Sequence, residues 1–331
     1  MKKPIIFFLF ILIFSGVIFT GCGDDTVSQA SDDKASQASD DRVSQAPDDK
    51  VSQAPDETST QKGSRGSTLH VLTCSADGTS VTENESAIID YSNGSEGYIQ
   101  VNYIGSTQKV KFQITTPEGT TYTYSLHGGY ETFPLTGGSG TYHAGVYENI
   151  SDEQYSTALS ADLQIAITNE FGPYLYPNQY VNFAGSTTAI QQSEELAATA
   201  DSDLDVVTNV YNYMISNFTY DYGKAESVVS GYLPDVDATL ASKTGICFDY
   251  AALMATMLRV QAIPTRLEVG YVGDVYHAWI SVYTRDTGWI NGIIQFDGTD
   301  WEMLDPTFAS TSKKPESFIP DSSDYLSKYV Y

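Results

Sequence analysis

The period of the hydrophobic pattern changes within this chain, and the change restricts the fold more than any other feature. Apolar and polar residues alternate in 98–103, 110–114 and 121–126, and again in 141–147 and 161–167. Turn sequences containing Gly or Pro separate these segments. Short alternating segments divided by turns are typical of antiparallel β-sandwiches. We therefore predict an Ig-like sandwich over residues 68–185.

Helical spacing replaces the alternation after about residue 190. Ser202 and Asp205 have the spacing of a capping box, and apolar residues follow at intervals of three and four as far as Phe218. A second helix is predicted to begin near Cys247. Its run 251–258 is apolar almost all round, which is typical of a helix buried in the core.

The alternation of apolar and polar residues returns after Pro264, which marks the end of that helix. One predicted strand contains Leu267 and Val269, the next contains His277 and Trp279, and a hairpin joins 290–296 to 301–304. A central helix followed by antiparallel strands indicates an α+β fold for residues 186–331.

The amino terminus has the pattern of an export signal. Two lysines precede an apolar run from Ile5 to Phe19, which is short for a membrane-spanning helix. Phe19-Thr20-Gly21-Cys22 resembles the lipobox of bacterial lipoproteins. That resemblance implies removal of residues 1–21 and lipid attachment at Cys22. An uncleaved amino-terminal anchor is the alternative, and both predict that the rest lies outside the cytoplasm, held to the bacterial cell membrane.

Residues 22–67 contain an acidic octapeptide repeat, VSQASDDK followed by three variants. The segment has no aromatic residue, so it cannot bury enough apolar surface to offset the entropy lost on folding. We predict a disordered tether, since an eight-residue unit is too short for a helical solenoid.

Charge and composition exclude some partners. The net charge is −25, mostly carried after residue 67, and nucleic-acid binding needs clustered Lys and Arg. Such a surface would attract cationic peptides or simply keep a secreted protein soluble. The tyrosine-rich sandwich leaves a glycan-binding platform open. The Cys and His spacings fit no zinc site, and Asp235 and Asp237 lack the rest of a calcium loop. We expect neither a metal nor a cofactor.

Three residues of the second domain have the chemistry of a catalytic triad. Cys247 begins the core helix, where the helix dipole favours thiolate, while His277 and Asp305 lie on or at the end of later strands. Cys247 would be the nucleophile, His277 the base and then the acid, and Asp305 the residue that orients the imidazole. The backbone N–H of Cys247 would contribute to an oxyanion hole. A disulfide with Cys74 would silence the nucleophile, so we expect two free thiols.

Four sequence blocks carry a family resemblance. They are Thr244-Gly245-Ile246-Cys247-Phe248-Asp249-Tyr250-Ala251, Ile263-Pro264-Thr265-Arg266, His277-Ala278-Trp279 and Asp305-Pro306-Thr307. In this order they resemble bacterial transglutaminase-like proteins over roughly 204–310. The resemblance implies a papain-like fold, the triad Cys247, His277 and Asp305, a packing role for Trp279, and an approach of Tyr220 to the site.

The predicted function is thiol-dependent acyl transfer at the cell surface, acting on a peptide or protein substrate. Animal transglutaminases have Gln before the cysteine, where this chain has Ile246, so cross-linking, deamidation and amide hydrolysis stay open. The alternatives are a cysteine peptidase or peptidoglycan-peptide amidase, and a noncatalytic surface-binding lipoprotein.

Overall fold

The computed structural model describes residues 62–272, 275–296, 301–303 and 325–331. The predicted signal peptide, Cys22, the tether as far as residue 61, and Asp305 all lie outside the described residues. Within the described part of the chain, no helix is long and apolar enough to cross a membrane.

Eight antiparallel strands form the first half of the fold. They are β1 (Val81–Glu83), β2 (Ala87–Asp90), β3 (Tyr98–Tyr103), β4 (Val110–Thr115), β5 (Thr121–Leu126), β6 (Gly129–Pro134), β7 (Gly140–Ser151) and β8 (Gln154–Ile165). One sheet has the order β1-β2-β3-β6 and the other the order β5-β4-β7-β8. Phe112 and Tyr124 from one sheet and Phe133 from the other form an aromatic cluster with ring centroids 4.6–6.1 Å apart. The predicted alternation is confirmed in β4 and β5, where every second residue is buried.

Helices and a second set of strands form the other half. They are α1 (Thr188–Ala197), α2 (Asp203–Asn217), β9 (Thr219–Tyr220), α3 (Tyr222–Ser227), α4 (Val236–Ser242), β10 (Thr244–Gly245), α5 (Cys247–Arg259), β11 (Thr265–Val272), β12 (Val275–Thr284), β13 (Gly288–Phe296), β14 (Trp301–Met303) and β15 (Tyr325–Val330). The capping box of α2 is formed as predicted, with Ser202 and Asp205 exchanging hydrogen bonds. The α+β fold class is confirmed.

Helix α5 lies in the centre of this half. It begins at Cys247, as predicted, and every residue from Asp249 to Arg259 is buried. A five-stranded antiparallel sheet of order β14-β13-β12-β11-β15 packs beside it. The predicted pairing of β13 with β14 is confirmed. Strand β15 was not predicted, and it pairs with β11 at the edge of the sheet.

The two halves pack together within one compact unit. Tyr331 lies at the junction, with its ring centroid 4.7 Å from that of Tyr180 and 5.6 Å from that of Tyr122. Arg259, at the end of α5, is 1% exposed and donates to the main-chain carbonyls of Tyr176, Thr265 and Tyr331. A buried guanidinium thus joins the segment between the halves, strand β11 and the end of the last strand.

The first described residues lie along the helical half. The N–H groups of Gly63 and Arg65 donate to the carbonyls of Ala198 and Ala200. The guanidinium of Arg65 pairs with Asp203 at 2.5 Å and donates to the carbonyl of Gln261 at 2.7 Å. Residues 63–65 therefore contact the start of α2 and the chain just beyond the carboxyl end of α5.

Candidate active site

Cys247 is placed by the turn that starts α5. Ile246 precedes it in an extended conformation, with φ −102° and ψ 174°. Asp249 occupies the third helical position, and its carboxylate accepts the Ile246 N–H at 2.9 Å, which caps the helix from within. A Cβ on Gly245 would lie 2.8 Å from the Cβ of Asp249, so the close turn before the cysteine requires glycine.

The Cys247 thiol lies against strand β12 and strand β9. Burial raises its pKa above the ordinary value. Hydrogen bonds donated by the Ala278 N–H, the Tyr220 phenol and the Phe248 N–H act in the opposite direction, and the charge of Asp249 adds to the increase. The sequence predicted that the helix amino terminus would favour the thiolate. The donors are there, but desolvation of the buried sulfur outweighs them.

His277 lies in β12 directly before Ala278, the residue whose N–H reaches the thiol. Its side chain is 7% exposed, and in the sheet it pairs with Gly270 of β11. A Cβ on Gly270 would lie 2.0 Å from the carbonyl oxygen of Leu326 in β15, so β15 lies very close to β11 at this level. The structure therefore brings the helix of Cys247 to the strand of His277. Trp279 is buried, in agreement with a packing role.

Tyr220 contacts Cys247 twice. Its phenol donates to the thiol, and its oxygen accepts the backbone N–H of Cys247. Burial raises the pKa of Tyr220 to about 12, so the phenol is protonated at neutral pH and can act as a donor. The approach of Tyr220 to the site, implied by the family resemblance, is borne out by this contact.

Sequence reasoning missed a partly buried ionic cluster at the same turn. The Asp249 carboxylate accepts a hydrogen bond from the Lys224 ammonium at 2.7 Å and another from the Tyr232 phenol. Asp249 is 0% exposed. The third-position Asp is itself a recognisable helix-start signal. Nothing in the spacing of Lys224 and Tyr232 indicates that the chain folds back to meet it.

Two tyrosines are exposed close to the predicted catalytic residues Cys247 and His277. Tyr276, just before His277, is 55% exposed, and Tyr222 is 57% exposed. The Tyr222 ring centroid is 5.0 Å from that of Tyr220, and the charge of Cys247 acts on the pKa of Tyr276. Exposed aromatic side chains therefore lie in β12 and at the start of α3, just after β9.

The other site features concern the two cysteine thiols and metal binding. Cys74 and Cys247 are both free thiols, as expected. Cys74 donates to the carbonyl of Pro177 at 3.5 Å, and burial raises its pKa to about 11. Across the described ranges, no group of three or more His, Cys, Asp or Glu residues could hold a metal ion.

Comparison with known proteins gives the class of the second half. Residues 190–292 match the transglutaminase-like superfamily, and this part of the chain is a transglutaminase-like domain. The match includes Cys247 and His277 and ends before Asp305.

Solved structures with a similar fold include a candidate cysteine protease from Cytophaga hutchinsonii. It is 15% identical, with 76% of this chain and 74% of that chain covered and a TM-score of 0.36. Another is the periplasmic domain of TgpA from Pseudomonas aeruginosa bound to ethylmercury. It is 15% identical, with 72% of this chain and 77% of that chain covered and a TM-score of 0.30. None of the curated proteins matches the chain.

Proposed function

We propose that this protein is a thiol-dependent enzyme that transfers acyl groups from peptide or protein amides, with Cys247, His277 and Asp305 as its catalytic residues. The observation that carries the proposal is the position of Cys247. Cys247 is the first residue of a buried helix. Its thiol accepts one hydrogen bond from the N–H of the residue after His277 and another from the phenol of Tyr220. Such a setting fits a nucleophile better than a packed apolar side chain.

The raised pKa of Cys247 determines what its partner must do. Burial keeps the thiol protonated, so attack on a carbonyl requires a base that takes the proton as the sulfur–carbon bond forms. His277, on the strand that contacts the thiol, is the proposed base. Asp305 is the proposed residue that orients its imidazole, on the strength of the sequence blocks alone.

The reaction then proceeds through a thioester. Cys247 attacks the amide carbon, His277 returns its proton to the leaving nitrogen, and ammonia or an amine departs. The Tyr220 phenol donates to the sulfur, and its oxygen accepts the Cys247 N–H. When the tetrahedral intermediate forms, the Cys247 N–H and the Tyr220 phenol would exchange these contacts for hydrogen bonds to the oxyanion. An incoming amine or water then attacks the thioester, giving transfer or hydrolysis.

The test uses casein with a labelled primary amine and follows incorporation, ammonia release and fragmentation in parallel. The wild type and Cys74→Ala should be active, and Cys247→Ala and His277→Gln inactive. Amine incorporation supports transfer, ammonia without incorporation supports deamidation, and fragments support a peptidase. Equal activity of Cys247→Ala and the wild type would refute the proposal. Absence of turnover on casein and on peptidoglycan peptides alike would favour the noncatalytic alternative.

We propose further that the protein acts outside the cytoplasm, held to the membrane by a lipid on Cys22. The support is the basic and apolar amino terminus and its lipobox-like ending. Metabolic labelling with an alkyne fatty acid should mark the wild type. Cys22→Ser should lose the label, and its retention would overturn the lipid assignment.

A further inference from the structure

The carboxylate of Asp249 has an unusual position for a buried charge. It is 0% exposed and lies two residues after the proposed nucleophile, in the first turn of α5. One oxygen accepts both the Ile246 N–H and the Lys224 ammonium, and the other accepts the Tyr232 phenol. A buried carboxylate needs such partners because its desolvation is costly.

Lys224 and Tyr232 also contact each other. The Lys224 ammonium donates to the Tyr232 phenol at 2.6 Å and lies 4.5 Å from the centroid of its ring. Burial acts to lower the pKa of Lys224, but hydrogen bonds with Asp249 and Tyr232 raise it above the ordinary value. The three side chains therefore form a closed triangle with Lys224 as its cation.

The triangle secures the segment that carries Tyr220. Strand β9 pairs in parallel with β10, just before Cys247, and the Asp221 N–H donates to the Gly245 carbonyl at 2.9 Å. Lys224 follows in α3 and holds the same segment to Asp249. The backbone ladder and the ionic contact together fix Tyr220 relative to the first turn of α5.

The charge balance around the thiol depends on the same lysine. The titratable groups whose charges or hydrogen bonds couple to Cys247 are Tyr220 from β9, Tyr276 from β12 and Asp249 from its own helix. His277 follows Tyr276 in β12. Asp249 is the anion among them, and negative charge near sulfur opposes loss of the thiol proton. Lys224, in contact with that carboxylate, offsets its field.

We propose that Lys224 is a positioning residue of the active site. It neutralises the buried carboxylate of Asp249 and holds the Tyr220 segment against the first turn of α5, so that Cys247 can be deprotonated and remains next to its hydrogen-bond donors. This role presupposes the proposed function of Cys247, but it is measured on the thiol itself.

The experiment follows alkylation of Cys247 by iodoacetamide in the full chain, using mass spectrometry of the peptide that contains it, as a function of pH. Lys224→Met should lower the alkylation rate at neutral pH about tenfold and move the profile to higher pH, because the Asp249 charge is no longer compensated. Lys224→Arg, which keeps the charge, should restore most of the rate.

Lys243 offers a matched control. Its ammonium lies 4.4 Å from the ring centroid of Tyr213 and hydrogen-bonds to that phenol, so Lys243→Met removes the same kinds of tyrosine contact without touching Asp249. We expect its alkylation profile to match the wild type. The double variant Lys224→Met/Asp249→Asn, in which both charges are removed, should return the profile towards the wild type.

A Lys224→Met profile indistinguishable from that of Lys243→Met would overturn the proposal. If Lys224→Met does not fold, Tyr232→Phe gives the second test, because it removes one hydrogen bond to Asp249 and leaves the ring. An unchanged alkylation rate in Tyr232→Phe would then refute the role of the triangle. The wild type could also show no turnover on any substrate while Lys224→Met still slows alkylation of Cys247. That result would sustain the positioning role and refute the proposed enzymatic function.

Discussion

Replacing Arg259 by Met should destabilise the folded unit. The arginine donates four hydrogen bonds of 2.7–3.1 Å to three main-chain carbonyls, and it is 1% exposed. Methionine has a similar length and fills the same space without a charge.

The magnitude follows from two opposing terms. Four charge-assisted hydrogen bonds at about 1.5 kcal/mol each give a loss of roughly 6 kcal/mol. The variant no longer pays for desolvating the guanidinium, which returns several kcal/mol. The Tyr331 carbonyl also keeps the Leu267 N–H as a donor. We expect a net loss of about 3 kcal/mol, or roughly 6–12 °C in Tm for a unit of this size.

Urea titration followed by tryptophan fluorescence measures the free energy of unfolding directly. Arg285→Met, at an exposed position, is the matched control and should change it by less than about 0.5 kcal/mol. Arg259→Lys should also be destabilised, since an ammonium cannot reach all three carbonyls. If Arg259→Met is as stable as the wild type or more so, desolvation exceeds the hydrogen bonds and the reasoning is refuted.

Four further predictions address other contacts. Tyr220→Phe should lower kcat/KM about tenfold with unchanged Tm, because the donor to sulfur and oxyanion is lost; an unchanged rate would remove Tyr220 from the chemistry. Gly245→Ala should cost about 1–3 kcal/mol in urea titration, since its Cβ would press on Asp249. Arg65→Ala should lower the free energy of unfolding by about 1–2 kcal/mol, and an unchanged value would show that the Arg65 contacts do not stabilise the fold. Burial raises the pKa of Cys74 from 9.0 to about 11. The unfolded chain then releases that proton first, so stability falls between pH 9 and 11, and Cys74→Ala should reduce that fall by about 2 kcal/mol.

The helical core was predictable because its determinants are local. Ser202 and Asp205 are three residues apart and cap α2 with their own side chains. The run around Leu253 is apolar almost all round, so burial is the outcome for a helix of that composition in water. The position of Cys247 at the start of α5 follows from the same pattern.

Strands that depend on distant partners could not be placed in the same way. Strand β15 lies more than fifty residues after β11, with which it pairs, and the alternation in Tyr325–Val330 does not say which edge it joins. Strand β6 begins with glycine and ends with proline, residues that predict turns rather than strands. In both cases tertiary pairing overrides a weak local signal.

The candidate site likewise contains features that local sequence predicts and features that depend on distant contacts. Cys247 and His277 are predicted from residue type and order, and the structure places Cys247 in contact with Ala278, the residue after His277. The raised pKa of Cys247 was not predictable, because the extent to which a sulfur is desolvated depends on everything packed around it. Lys224 and Asp249 are 25 residues apart, and no periodicity relates them.

The path of residues 63–70 has a practical consequence for handling the protein. Arg65 and His70 bind the chain at Gln261 and Val260, just past the carboxyl end of α5, whereas Cys247 begins that helix. Thirteen residues of helix separate the two ends by about 20 Å. An affinity tag, a fluorophore or a solid support joined directly to residue 62 would therefore be attached near the end of α5 that is remote from the thiol. Attachment at that residue is accordingly the geometry of choice for binding measurements on the proposed site.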